Sequence, residues 1–285
     1  MTWTMYRWVW QLCSPLHIGM GQAGPLARTR LYIPASTLWG ALTAELTRRC
    51  HTPALSYHYQ QVGEEIKHKT RFSYLFPAEK IDGRWKAWLP EFSPDGLNWK
   101  REDNGASHSL RKFRNRLLST LPGTAIDPST DTAQESTFRE TEVVHPFWQD
   151  SRGPVAFIGY FFVNDQNLAD QIFKITELFL GADTRYGLGR LEQIERQDIQ
   201  SVANFFGQPV NLNSASPKVK TKIIFAHIII DEISSKEMKG SWEIFERWDQ
   251  GIRTEGLCWV PGSIISSERW FKFLPSGIWC FLREE

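Results

Sequence analysis

The run VAFIGYFFV, Val155 to Val163, constrains the fold most, because it is apolar at odd and even positions alike. A strand with water on one side alternates between apolar and polar residues. One that does not alternate is covered on both faces and belongs in the middle of a sheet. A second strand is legible near the start of the chain. From Met5 to Leu12, period-two spacing places Tyr6, Trp8, Trp10 and Leu12 on one face and Arg7, Val9 and Gln11 on the other, which predicts one buried face.

Each strand is followed by helical signals. After Leu12 the segment SPLHIGMGQAGP, Ser14 to Pro25, interrupts regular structure with prolines and glycines, and Leu31 to Pro34 resumes as a short extended piece. Ser36 is a candidate N-cap for a helix reaching Arg49, with Leu38, Leu42 and Leu46 at four-residue spacing. Beyond Val163 a helical pattern runs from Gln166 to Leu180. The glycine-rich stretch GADTRYGLGRLEQIE, Gly181 to Glu195, then leads into a strand from about Leu188.

These two halves, strand-loop-helix and strand-helix-loop-strand, predict an α+β fold. Its form is a ferredoxin-like (RRM-type) antiparallel sheet with helices on one face. Residues 51–150 hold short apolar pieces, prolines and charged turns without a sustained period, and read as a large insertion in a domain covering residues 1–205. An Asn, Ser and Pro-rich stretch from Gly207 to Pro217 reads as a linker. It leads to a smaller strand-rich unit at 217–285, with a strand from Lys218 to Asp231, a helix around Trp242 to Trp248, and short strands near Cys258 and at Ile278 to Leu282.

Charge narrows the function classes. With 33 basic and 32 acidic residues the net charge is +1, so any nucleic-acid site is a local patch and not a global field. The cysteines Cys13, Cys50, Cys258 and Cys280 form no CxxC pair, and no secretory signal precedes them, which predicts a reducing cytoplasm. No apolar stretch reaches the roughly eighteen residues that span a bilayer, so no membrane partner is expected. Thirteen tryptophans suit a core and base stacking equally well.

The strongest local signal is the glycine-rich loop. Gly187 and Gly189 allow a close backbone approach to phosphate, while Arg185 and Arg190 beside Tyr186 supply charge. The loop follows a helix instead of opening one, and GK[ST] is absent, so dinucleotide and nucleoside-triphosphate binding are not expected. A helix-to-strand turn with Gly181 as C-cap is the plainer alternative. The first loop repeats the mixture with Gly19, Gly21, Gly24, Arg28 and Arg30, and its His17 is either an acid-base group or a structural residue. Cys50, His51, His58 and His68 match no zinc spacing, so neither metal nor cofactor is expected. The stretch LRKFRNRL, with Arg111, Lys112, Arg114 and Arg116 around Phe113, either follows an RNA backbone or is a solvated face.

Taken in order, SPLHIGMG (Ser14–Gly21), LYIPASTLWGALTAEL (Leu31–Leu46), TAIDPSTDTAQESTFRETE (Thr124–Glu142), FIGYFF (Phe157–Phe162) and GADTRYGLGRLEQI (Gly181–Ile194) resemble the RAMP superfamily of CRISPR effector subunits, most closely those of type III systems. The resemblance implies a CRISPR RNA-binding subunit of a multi-subunit antiviral ribonucleoprotein that meets target RNA through the guide. Ser36, Trp39 and the glycine-rich loop would lie near the phosphates, and Thr124 to Glu142 would match a thumb hairpin. WVPGS (Trp259–Ser263) and SGIWCF (Ser276–Phe281) resemble the degenerate second ferredoxin-like half of handle-capping subunits.

Where the family carries IPGSSLKG this chain has IPASTLWG, with Ala35 and Trp39 replacing a glycine and a basic residue. The catalytic backbone members carry an aspartate in the preceding loop, whereas Met20 to Tyr32 holds no Asp or Glu, so a non-catalytic subunit is expected, with Asp127 the nearest acidic alternative. Two other readings stay open. One is a metal-independent guide-processing endoribonuclease using His17 or His51; the other is a subunit-bridging interaction protein.

Overall fold

The computed structural model describes residues 2–199, 204–248 and 252–282; the parts of the expected 1–205 and 217–285 units beyond these lie outside the described residues. In chain order the first elements are β1 (Thr4–Leu12), β2 (Gly19–Ala23), β3 (Leu26–Thr29), α1 (Ala35–Cys50) and α2 (Ser56–Lys69). Next come β4 (Thr70–Phe72), β5 (Phe76–Ile81), β6 (Arg84–Ser93), β7 (Gly96–Arg101), β8 (Ser107–Ser109), α3 (Leu110–Leu117), β9 (Leu118–Gly123), β10 (Ile126–Asp127), β11 (Thr132–Ala133) and β12 (Arg139–Val144). The central stretch holds β13 (Ala156–Val163), α4 (Gln166–Phe173), β14 (Glu177–Phe179) and β15 (Arg190–Asp198). The remainder is β16 (Asn204–Phe205), β17 (Gln208–Asn211), β18 (Lys218–Ile223), β19 (Ile228–Ile229), α5 (Glu232–Glu237), β20 (Met238–Lys239), β21 (Trp242–Trp248), β22 (Ile252–Trp259), β23 (Ile264–Phe273) and β24 (Trp279–Phe281).

The fold is mixed α+β, dominated by antiparallel pairing. Its main sheet has the strand order β14-β15-β1-β13-β5-β6-β7-β8, with β4 sharing the β13 edge used by β5. Every residue of β13 is buried, as its unbroken apolar run predicts. On one face Trp8 stacks on Phe161 at 4.8 Å between ring centroids, and Phe173 of α4 meets Tyr6 edge-on at 4.8 Å. On the other face Phe162 packs on Phe273 at 4.8 Å, and Tyr160 on Phe205 and Phe206 at 4.9 Å each. The sheet built from β16 to β24 thus closes the face opposite the helices. For the same reason β1 is covered on both sides, not one. Met5 and Val9 are buried beneath the second sheet, while Arg7 pairs with Glu102 at 3.3 Å and Glu195 at 3.6 Å.

Four local expectations are corrected. Helix α1 is capped by Pro34 and starts at Ala35, so Ser36 lies inside its first turn. Helix α4 stops at Phe173; beyond it Leu178 and Leu180 point inward and Glu177 and Phe179 outward, a period of two that makes β14. Trp242 to Trp248 is a strand because Phe245 is buried while Trp242 and Ile244 face outward. The strand expected from Lys218 to Asp231 is broken after Ile223 and resumes only at Ile228.

Residues 51–150 are ordered into elements woven onto the main sheet. β5 pairs with β13, the β6–β7 hairpin extends the sheet, and Phe113 of α3 stacks on Trp99 at 4.4 Å. Among the described residues nine tryptophans are buried, which settles what most of them do: they build this core. No helix among the described residues is long and apolar enough to cross a membrane.

Candidate nucleic-acid interface

β1 and β15 are antiparallel neighbours with Leu12 opposite Leu191, so the chain leaving β1 must run beside the chain entering β15. Backbone hydrogen bonds zip the two loops together. Cys13 N–H donates to Arg190 O at 2.8 Å, Gly189 N–H to Pro15 O at 2.8 Å, and Ala182 N–H to His17 O at 2.9 Å; Ser14 Oγ accepts from Arg190 N–H at 2.9 Å. Because β14 precedes it, the glycine-rich segment is the loop of a β14–β15 hairpin and not a helix-to-strand turn. Its apex is a 3-10 turn, Thr184–Tyr186, held by Tyr186 N–H to Asp183 O and Gly187 N–H to Thr184 O. Gly187 and Gly189 both have positive φ, +85° and +76°. They differ in space: nothing lies near a Cβ on Gly187, whereas one on Gly189 would sit 1.9 Å from Leu180 O.

The other wall is the four-stranded sheet β2-β3-β12-β9, from which the tip pair β10–β11 projects. Glu142 joins this sheet to loop one. Its carboxylate accepts Thr29 N–H at 3.0 Å and the Arg114 guanidinium, and its carbonyl accepts Nδ1–H of His17 at 2.7 Å. Nothing local in the sequence marks Glu142 for this role, since its partners come from three separate segments.

The expected site residues divide by environment. Gly19 and Gly21 are exposed on β2 and Gly187 on the hairpin loop, Arg28 is half-buried on β3, and Arg185 and Tyr186 stand out from the hairpin apex, Tyr186 being 76% exposed. Arg111 and Lys112 are exposed on α3, at an open cleft that Arg111, Arg114 and Asn115 share with Asp95 and Leu97. Others are engaged internally. His17 is buried; Arg190 pairs with Glu177 at 2.5 Å and Glu192 at 2.6 Å; Gly189 is buried against Leu180. Trp39 donates its indole N–H to Gly63 O at 3.1 Å, holding α1 against α2, and with Ser36 lines a narrow crevice beside Lys67 and Ser276.

Arg30 is turned away from solvent into a buried polar network that the sequence does not announce. Its guanidinium pairs with Glu243 and donates to Tyr32 Oη at 3.2 Å. His227 donates Nε2–H to the same carboxylate at 2.6 Å and accepts the Tyr74 hydroxyl on Nδ1 at 2.7 Å. Burial holds the His227 imidazole neutral, its pKa pushed down to about 4, despite the adjacent carboxylate. Burial also opposes the charge on Arg30, but Tyr32 and Glu243 outweigh it and raise its pKa. The network ties the end of β3 to the second sheet.

Carboxylates and histidines are scattered. Asp127 is half-buried at the β10–β11 tip, where its Oδ1 accepts Ser129 N–H at 2.8 Å and Ser129 Oγ–H at 2.6 Å; these bonds hold its carboxyl below the usual range. His51 stacks on His58 at 3.9 Å. No group of three or more His, Cys, Asp or Glu side chains converges among the described residues.

Two solved structures share this arrangement at fold level. A chain of the type III-B Cmr-beta complex bound to cognate target RNA superposes with a TM-score of 0.57 at 14% identity, over 91% of this chain and 86% of that one. A chain of the same complex bound to cognate target RNA and AMPPnP, in state 1, gives 0.57 at 13% identity, over 91% and 85%. No curated protein matches the sequence. The family model that does match is that of the RAMP superfamily, over residues 11–192. That interval holds both zipped loops, the Glu142 junction and all of β13, and it covers more than half of the sequence: the chain belongs to the RAMP superfamily.

Proposed function

We propose that this chain is a CRISPR guide-RNA-binding subunit of a type III effector ribonucleoprotein, and that it cuts no RNA itself. Its fold is the ferredoxin-like one. The chain order β1-α1-β5-β13-α4-β15 with spatial order β15-β1-β13-β5 supports this, as do helices α1 and α4 following the first and third of these strands. The observation that carries the functional reading is the junction of the two loops. Backbone hydrogen bonds fix them side by side, while Arg28, Arg185 and Tyr186 are left to reach outward, charge and an aromatic ring on a rigid frame. Such a frame suits phosphate contact and base stacking without sequence readout.

Guide RNA, the other protein subunits and, through the guide, target RNA are then its partners. The non-catalytic reading is supported by the absence of acidic residues from Met20 to Tyr32 and by the turn-capping position of Asp127. Guide processing through His17 is disfavoured by its burial and by the commitment of Nδ1 to a carbonyl.

The test is equilibrium binding of the purified chain to guide RNA at several salt concentrations. Arg28→Ala with Arg185→Ala is expected to weaken binding similarly for all guide sequences and to lower the slope of log K against log salt by roughly 1–2. Unchanged affinity at low and moderate salt refutes the proposed site.

A further inference from the structure

The second sheet ends in an open edge. β21 pairs with β22 on one side, and among the described residues no other strand pairs with it. Its outward face is apolar: Trp242 is 62% exposed and Ile244 63%, and Leu257, directly opposite Ile244 on β22, is 40% exposed. By strand alternation Glu246, also exposed, follows on that face. A free edge with large apolar side chains is an aggregation hazard unless something covers it, and folded proteins usually blunt such edges with charge, proline or a bulge. Here the bulge falls only beyond Phe245, past both exposed residues.

We propose that the β21 edge docks a β-strand of another protein. That strand carries apolar residues at alternate positions facing Trp242 and Ile244, and a basic residue facing Glu246. Backbone groups of the edge give the affinity and the alternating side chains the register. The charge argues for protein and against RNA, since a nucleic acid laid along this face brings phosphates against the exposed Glu246 carboxylate. Resting on the reading of the chain as a subunit of a ribonucleoprotein, the inference assigns the partner to another protein subunit of that assembly. The two faces are then separate: RNA at the zipped loops, protein at β21.

The experiment compares wild type, Trp242→Ser with Ile244→Lys, and Glu246→Lys. Each is reconstituted with the remaining protein subunits of its own complex, and incorporation is followed by native mass spectrometry. All three residues are exposed, so thermal unfolding should be unchanged and serves as the folding control. The double variant is expected to incorporate at least tenfold less well, as is typical when a central aromatic anchor is lost, and Glu246→Lys by a smaller, salt-sensitive factor. Guide-RNA affinity of the isolated variants should equal that of wild type. Incorporation at wild-type levels overturns the proposal. So does lost RNA affinity with assembly intact, or a wild-type homodimer that the double variant dissolves, which makes the occupant a second copy. If wild type binds no RNA yet the double variant still loses assembly, the RNA reading fails and the docking edge stands.

Discussion

Gly187 and Gly189 offer a controlled comparison, because both lie in the left-handed region on one loop and only one of them is crowded. Alanine at Gly187 meets open space and suffers only the backbone preference, about 1–2 kcal/mol. Alanine at Gly189 carries the same term and also drives its Cβ to 1.9 Å from Leu180 O, where ordinary contact begins at 3.4 Å. Relief requires the hairpin to open. That sacrifices the bond from Leu180 N–H to Gly189 O at 3.0 Å and that from Gly189 N–H to Pro15 O at 2.8 Å. At about 1 kcal/mol each, these bring the total to roughly 3–4 kcal/mol. Urea denaturation read by tryptophan fluorescence should therefore separate the variants by about 2 kcal/mol, with thermal midpoints lower by roughly 2–3 °C for Gly187→Ala and roughly 5–7 °C for Gly189→Ala. Equal losses, or a larger loss at Gly187, refute the claim that carbonyl approach, and not φ alone, dictates the glycine.

Three further outcomes follow from the geometry. Arg185→Ala should weaken guide-RNA binding and lower its salt slope by about 1, whereas Arg190→Ala, whose charge is held by Glu177 and Glu192, should change the slope much less; a reversed order in the binding titration would contradict the assignment. Because the folded-state pKa of His227 lies at about 4, below its unfolded value near 6.5, the unfolded chain binds the extra proton first; the contribution is full above pH 6.5 and lost as pH falls toward 4. It amounts to about 3 kcal/mol, and denaturation of wild type against His227→Gln across that window measures it. Asp127→Ala should leave target-RNA cleavage by the reconstituted complex unchanged with magnesium or manganese while making the β10–β11 tip more sensitive to protease; loss of one specific cut would show a catalytic carboxylate.

The sequence reveals elements whose signal is local and periodic. β13 is legible because it lacks alternation, β1 because Tyr6, Trp8 and Trp10 alternate, and α1 because Leu38, Leu42 and Leu46 repeat every turn. What escapes depends on contacts distant along the chain. Trp88, Trp99, Phe113 and Trp148 cluster only after two hairpins and a helix fold together, so residues 51–150 carry no continuous period. Likewise Arg30 looks like a loop cation until Glu243, 213 residues later, is brought against it. In the two loops the sequence offers Arg28, Arg30, Arg185 and Arg190 as equal candidates, because the contacts that engage Arg190 and His17 come from Glu177, Glu192 and Glu142, which no spacing rule links to them.

RRM domains read RNA by laying bases flat across the open surface of a four-stranded sheet, on aromatic rings that point out of it. In this chain that surface is roofed. Phe205, Phe206 and Phe273 lie over Tyr160 and Phe162, where a base would otherwise stack. On the proposed reading, a strand of RNA following this protein would therefore be confined to the rim, crossing the ends of strands instead of their faces. Its path would be set by how far the loops and the β9–β12 hairpin protrude, so changing loop length, more than changing sheet aromatics, would be the way to alter how much RNA such a subunit covers.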